Sequence, residues 1–117
     1  PAVALSFRAG RAVPTNSART FADGMACRDP NPQAIEILRA GAERIVEVGE
    51  DEIAEAMRML FEDTHNVAEG AGAAAFAALM SERDTMRGRK AGVILSGGHV
   101  DRRVFAEVLA GRTPQAA

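Results

Sequence analysis

The sequence predicts an α/β protein in which a partial parallel sheet is flanked by helices. Residues 44–48 alternate and are rich in β-branched side chains, and residues 91–95 form a continuous apolar run, so both segments favour strands. Helical patterns follow each of them, and strands that alternate with helices are typical of parallel sheets. Two strands alone do not form a stable sheet. We therefore expect residues 1–117 to be one incomplete domain.

The first half of the chain predicts two short helices separated by a long loop. Residues 1–9 favour one or two helical turns that end at Gly10. Repeated proline, asparagine and glycine residues predict a loop from Gly10 to Pro32. Asn31 and Pro32 indicate the next helix start, because proline is common at the first helical position.

The second half predicts three more helices and a frayed end. The clearest helix is expected over residues 52–64, with Asp51 as its N-cap, because apolar side chains recur there at helical spacing. The helix expected over residues 69–80 has small side chains on nearly all of its faces, and a helix without a polar face is normally buried. An amphipathic helix is expected from about Asp101, and residues 113–117 are expected to form a flexible tail.

The composition argues against several classes of partner. The formal net charge is −2 and the pI is about 5.7, so the basic excess of nucleic-acid-binding domains is missing. Cys27 is the single cysteine, which fits a reducing compartment. No apolar run approaches the roughly 20 residues that cross a bilayer, and residues 1–5 are too short for a signal-peptide core. We expect a cytoplasmic protein that binds neither nucleic acid nor a membrane.

Two glycine-containing segments are candidate ligand sites. Residues 96–98 (Ser-Gly-Gly) follow the second predicted strand, and ligands of parallel sheets lie outside the carboxyl ends of strands. A helix that follows such a turn also favours anions at its start. From these residues alone, a tight turn capped by Ser96 explains the segment equally well. At residues 69–72 the glycines most simply allow close helix packing, but the Glu69 carboxylate beside an apolar segment is unusual.

Other catalytic and metal-binding arrangements find little support. The two histidines, His65 and His99, and the single cysteine do not have the spacing of a zinc site. A serine hydrolase is not indicated either, because Ser96 lacks the glycine-flanked elbow of those enzymes. We expect no metal site in this chain.

Three segments resemble one enzyme family. Residues 20–24 (Thr-Phe-Ala-Asp-Gly) are similar to the Thr-Ile-Ala-Asp-Gly segment of threonine dehydratases and serine racemases. Residues 62–73 resemble the helix that crosses the active-site floor of threonine dehydratases, and residues 95–101 resemble their Leu-Ser-Gly-Gly-Asn-Val/Ile-Asp turn. Because order and spacing also agree, the chain resembles the C-terminal part of the large, cofactor-binding domain of fold-type-II pyridoxal-phosphate enzymes.

The resemblance implies that four residues bind pyridoxal phosphate. Ser96 would hydrogen-bond the pyridine nitrogen with Gly97 beside it, Gly24 would lie against one face of the ring, and Glu69 would lie near its polar edge. A hydroxyl partner does not force the ring nitrogen to be protonated. This suits loss of the β-hydroxyl of threonine or serine, followed by hydrolysis to a 2-oxo acid and ammonia.

The chain also departs from the family. His99 stands where the family usually has asparagine, and Ala2 stands where metal-activated relatives have a carboxylate. The single lysine, Lys90, matches no motif for the lysine that anchors the cofactor as a Schiff base, and the phosphate-binding glycine loop is missing.

These departures lead to expectations about activity and partners. We expect a fragment that supplies no catalytic residue, is inactive alone, and needs the N-terminal remainder of the enzyme to act on a small amino acid. Homo-oligomers are expected too. The alternative is a non-catalytic α/β module derived from the same fold that associates with itself.

Overall fold

A computed structural model describes residues 1–116 of the chain. It contains five α-helices, which are α1 (Ala2–Ala9), α2 (Pro32–Gly41), α3 (Glu50–Thr64), α4 (Gly70–Ser81) and α5 (Arg102–Leu109). A single 3-10 turn lies at Asp23–Met25. The chain divides into two compact units, one formed by residues 1–19 and 26–47, the other by residues 20–25 and everything from Val48 onward.

In the first unit, α1 packs against α2, and a buried serine ties α1 to the loop after it. The Ser6 hydroxyl donates to the Ala2 carbonyl at 2.7 Å and accepts from the Val13 N–H at 2.8 Å. Since buried polar groups need hydrogen-bond partners, this pair of bonds lets Ser6 lie in the interior. Gly10 ends α1 in the left-handed conformation, with φ of 71°, as its position in the sequence predicts.

The start of α2 confirms the predicted cap. The Asn31 side chain accepts hydrogen bonds from the N–H groups of Gln33 and Ala34, and Pro32 occupies the first helical position. These bonds satisfy two backbone donors that the first helical turn would otherwise leave free.

The second unit begins its long helix, α3, slightly earlier than the sequence predicts. The helix starts at Glu50, and the Gly49 N–H donates to the Glu52 carboxylate at 2.6 Å. The predicted N-cap Asp51 is therefore wrong, because Asp51 lies inside the first turn, where its carboxylate accepts a hydrogen bond from the Thr113 hydroxyl. The helix ends at Thr64 as predicted, with His65 in the left-handed conformation at φ of 56°.

The core of the second unit is made largely of alanine. Helix α3 packs against both α4 and α5, and the buried cluster holds seven alanines beside three larger side chains, Ile53, Met57 and Val108. Alanine buries little area, so such a core depends on backbones that approach closely. The prediction that α4 is buried is confirmed for the face toward this cluster, although Ala75 is exposed.

The two predicted strands are absent. Residues 44–48 and 91–95 have no regular secondary structure, and residues 1–116 contain no strand, so the expected parallel sheet is not confirmed. A strand needs a neighbouring strand to take up its backbone hydrogen bonds, and two strands do not stabilise a sheet alone. The apolar side chains of residues 93–95 are therefore accessible to solvent, with Val93 41%, Ile94 80% and Leu95 38% exposed.

Two further observations concern the surface and the end of the chain. Within residues 1–116, every helix falls short of the length and apolar character that crossing a bilayer requires.

At the C-terminal end, Pro114 is buried and Thr113 is bonded to Asp51, whereas Ala117 lies outside the described residues. The flexible tail expected over residues 113–117 stays a prediction.

Candidate functional site

The start of α4 and the turn at residues 96–99 are joined by two hydrogen bonds that both involve Glu69. The Glu69 N–H donates to the Gly97 carbonyl at 3.0 Å, and the Glu69 carboxylate accepts from the His99 N–H at 2.9 Å. Glu69 is the N-cap residue of α4 and is partly buried. The partial positive charge of a helix start stabilises a carboxylate at this position.

Glycines allow these two segments to approach. A Cβ on Gly72 would collide with the Gly97 carbonyl oxygen, and a Cβ on Gly98 would collide with the Val67 carbonyl oxygen. A Cβ on Gly97 would lie 2.8 Å from Oε1 of Glu69. The residues of the Ser-Gly-Gly turn are therefore shaped by close packing against the start of α4, whatever ligand they bind.

The segment at residues 20–24 packs on the same end of α4. A Cβ on Gly24 would lie 2.9 Å from the Ala71 Cβ and 3.6 Å from Oε1 of Glu69. Ala22 is buried against Gly70, where an added Cβ would lie 2.9 Å from the Ala22 Cα. The Phe21 N–H donates to the Glu50 carboxylate at 3.0 Å, so α3 also holds this segment.

The structure thus brings three of the four predicted site residues into one cluster. Gly24 and Gly97 both lie against the carboxylate of Glu69, although they are far apart in the sequence. Ser96 directly precedes Gly97 and is exposed. The cofactor-binding role of these residues stays a prediction, but their convergence is the arrangement that such a role needs.

The start of α5 differs from the expected anion site. The Asp101 carboxylate caps this helix by accepting the Arg103 N–H at 2.7 Å. Because a carboxylate already takes up a free N–H at the helix start, the positive end of α5 is partly neutralised.

The side chains present fit a pyridine ring. An exposed serine hydroxyl can donate a hydrogen bond to a ring nitrogen. Gly24 is exposed and lies near the Glu69 carboxylate, and Ser96 is exposed one residue before Gly97, so a ligand at this end of α4 can reach open backbone and a negative charge, with a hydroxyl on the adjoining residue. Among residues 1–116 no group of three or more histidine, cysteine, aspartate or glutamate residues is arranged to hold a metal ion.

Sequence reasoning missed how the site is held together. Val67, Ala71 and Gly72 lie close to the glycines of the site, and the His99 backbone, rather than its side chain, bonds to Glu69. Gly70 and Gly72 were the available signal, since glycines at a helix start allow another backbone to approach closely, and here they meet two different segments, Ala22 and Gly97.

The second unit also contains an open groove that no sequence motif marks. Its volume is about 580 Å³, and it lies between α3 and the C-terminal half of α4, lined in part by Glu55, Met59, Ala77 and Met80. The groove lies at the opposite end of α4 from Glu69. The separation is about 15 Å, because each helical residue adds about 1.5 Å along the axis.

Comparison with known proteins identifies the family. Residues 1–97 match the family described as pyridoxal-phosphate dependent enzyme, and the chain belongs to that family. It is 38% identical over 101 residues to an L-threonine ammonia-lyase of Thermotoga maritima, covering 86% of this chain and 25% of that protein. It is 39% identical over 101 residues to the catabolic L-threonine dehydratase TdcB of Escherichia coli K12, covering 85% and 31%.

A solved structure supports the same fold. The crystal structure of a threonine deaminase from T.th. superposes with a TM-score of 0.78 at 33% identity, over 86% of this chain and 36% of that one. The chain therefore has the fold of one segment of a fold-type-II enzyme, even though its own sheet is not formed. It spans between a quarter and about a third of the length of the curated relatives named above.

Proposed function

We propose that this chain forms the C-terminal part of the cofactor-binding domain of a threonine or serine ammonia-lyase. The observation that carries the proposal is the convergence of Gly24, Glu69 and Gly97 at the start of α4, with the exposed Ser96 directly before Gly97 in the chain. The relatives with 38% and 39% identity are named as lyases or dehydratases of threonine, which supports the same reaction.

In this proposal the chain binds and orients the cofactor ring. The Ser96 hydroxyl would hold the cofactor by donating to its ring nitrogen, and the Gly24 backbone, which has no side chain in the way, would leave room for the ring. Pyridoxal phosphate, when bound, supplies the electron-withdrawing system that allows an amino acid to lose its β-hydroxyl. The anchoring lysine and the phosphate loop come from the N-terminal remainder of the enzyme, since Lys90, the single lysine here, is exposed and matches no lysine motif of the family. The 117-residue chain alone is inactive, and the complete enzyme is a cytoplasmic oligomer.

The test compares wild-type protein with Ser96→Ala in the complete enzyme, assembled from this chain and the N-terminal remainder. Wild type is expected to form 2-oxobutanoate from threonine and to show the absorbance of bound cofactor. Ser96→Ala should lower kcat by about tenfold and shift the cofactor's absorbance maximum, because one hydrogen bond to the ring is worth about 1 kcal/mol or more. Arg89→Ala, which changes an exposed residue outside the cluster, is the matched control.

Exposed apolar side chains favour a second candidate. Val93, Ile94 and Leu95 stand next to one another without cover, and exposed apolar patches mark surfaces that associate. A non-catalytic module would use this surface to bind a second copy. A stable cofactor-free oligomer that does not bind the N-terminal remainder would favour this function and contradict the proposed role in an ammonia-lyase.

A further inference from the structure

Glu69 has two contacts with the serine turn, one from its backbone and one from its side chain. The backbone N–H binds the Gly97 carbonyl at 3.0 Å, one residue after Ser96, and the carboxylate binds the His99 N–H at 2.9 Å, three residues after Ser96. Two bonds from one residue to a stretch this short restrict both its position and its orientation.

The carboxylate is held in place by its surroundings. Oε1 lies close to two glycines: a Cβ added to Gly97 would be 2.8 Å from this oxygen, and a Cβ added to Gly24 would be 3.6 Å from it. Oε2 accepts the His99 N–H. A charged acceptor makes a stronger hydrogen bond than a neutral one. The helix start also stabilises the negative charge. A side chain that makes a charged hydrogen bond through Oε2 and has glycine backbone close to Oε1 is suited to hold a backbone segment.

We propose that Glu69 is a positioning residue, which fixes the turn at residues 96–99 on the start of α4 and so determines where Ser96 presents its hydroxyl. The inference rests on the proposed function, because a fixed hydroxyl matters only if a ring nitrogen meets it. It assigns Glu69 an action on the backbone of this chain in addition to any contact with the cofactor.

The direct measurement is amide hydrogen exchange of His99 in the complete protein without cofactor. Glu69→Ala is expected to speed exchange at His99 about tenfold, because a hydrogen bond to a charged acceptor is lost, while exchange within α4 stays near the wild-type rate. Glu69→Gln keeps the length of the side chain and an acceptor oxygen, so it should stay within about threefold of wild type.

Two further variants control the experiment. Glu62→Ala removes an exposed glutamate on α3 that makes no side-chain hydrogen bond within residues 1–116, and it should leave His99 exchange unchanged. If Glu69→Ala does not fold, as far-UV circular dichroism would show, Glu69→Asp replaces it. Aspartate keeps the charge but is one methylene too short to reach His99, so it should speed exchange where Glu69→Gln does not.

The outcomes separate this inference from the proposed function. Wild-type exchange at His99 in Glu69→Ala, or equal exchange in the Asp and Gln variants, would overturn the positioning role. Fast exchange in Glu69→Ala, together with an unchanged cofactor spectrum in Ser96→Ala, would retain the positioning role and reject the contact of Ser96 with the ring. A spectral shift in Glu69→Ala that Glu69→Gln reverses would support both.

Discussion

Two neighbouring segments, residues 91–95 and residues 96–99, differ sharply although they are continuous in the chain. Neither segment has regular secondary structure, but the first, which has the more regular sequence pattern, leaves its apolar side chains exposed. The second has a weak pattern, yet two hydrogen bonds and three close glycine contacts hold it against the start of α4. Of these two segments, only the one for which the chain itself supplies partners is packed against the rest of the unit.

The difference has a physical reason. Helix α4 takes up its backbone hydrogen bonds locally, and residues 96–99 find their partners on Glu69 at the start of that helix. A strand depends on hydrogen bonds from another strand, and an apolar strand of a parallel sheet also needs cover on both faces. The relatives named above are three to four times longer than the matched segment, so they have additional chain that can meet both needs.

The largest effect is expected from Gly72→Ala. In an exposed helix this change would stabilise the protein, because alanine has the higher helix propensity. Here the new Cβ collides with the Gly97 carbonyl, and relieving the clash separates the two segments, so we expect a loss of about 2–3 kcal/mol in the free energy of unfolding. Urea denaturation of the 117-residue chain measures it.

The control for that variant lies in the other segment. Gly92 has nothing within 4 Å of the place where its Cβ would be, so Gly92→Ala should change the free energy of unfolding by less than about 0.5 kcal/mol. Equal losses in the two variants would mean that the turn is no better packed than the exposed run.

A smaller loss is expected from Gly97→Ala. The added Cβ meets the end of the Glu69 side chain, which can move, rather than backbone. Glu69 then gives up its bond to the His99 N–H, so the expected loss is about 1 kcal/mol, again by urea denaturation. A loss as large as that of Gly72→Ala would show that the carboxylate is as immovable as the backbone around it.

The smallest effect is expected from Ile94→Ser in the chain alone. Ile94 is 80% exposed, so we expect a change of less than about 0.5 kcal/mol in the free energy of unfolding. In the assembled enzyme the same change should cost about 2 kcal/mol or more, because a covered isoleucine loses its apolar contacts. No added cost on assembly would contradict the view that the remainder of the enzyme covers residues 91–95.

Much of the helical structure could be predicted from local chemistry. Asn31 and Pro32 identify the start of α2, and the break at His65 identifies the end of α3, because caps and helix ends depend on a few adjacent residues. The prediction that Asp51 is the N-cap of α3 was wrong. The Glu52 carboxylate accepts the Gly49 N–H, and Gly49 is the N-cap instead. The two predicted strands were wrong because a strand depends on a partner strand for its backbone hydrogen bonds, and no pattern within residues 44–48 or 91–95 shows whether that partner is present.

The sequence alone was enough to identify the helices, the family resemblance and the residues worth examining, since each depends on short patterns of side chains in a fixed order. Only the tertiary structure showed that Gly24, Glu69 and Gly97 meet, and that Gly72 and Gly98 are glycines because backbone lies where their side chains would be. Such contacts join segments far apart in the chain, and no local pattern specifies the distance between them. The exposed run at residues 91–95 shows the same principle. Its apolar side chains indicate that the segment favours burial, but they do not specify which other segment covers it.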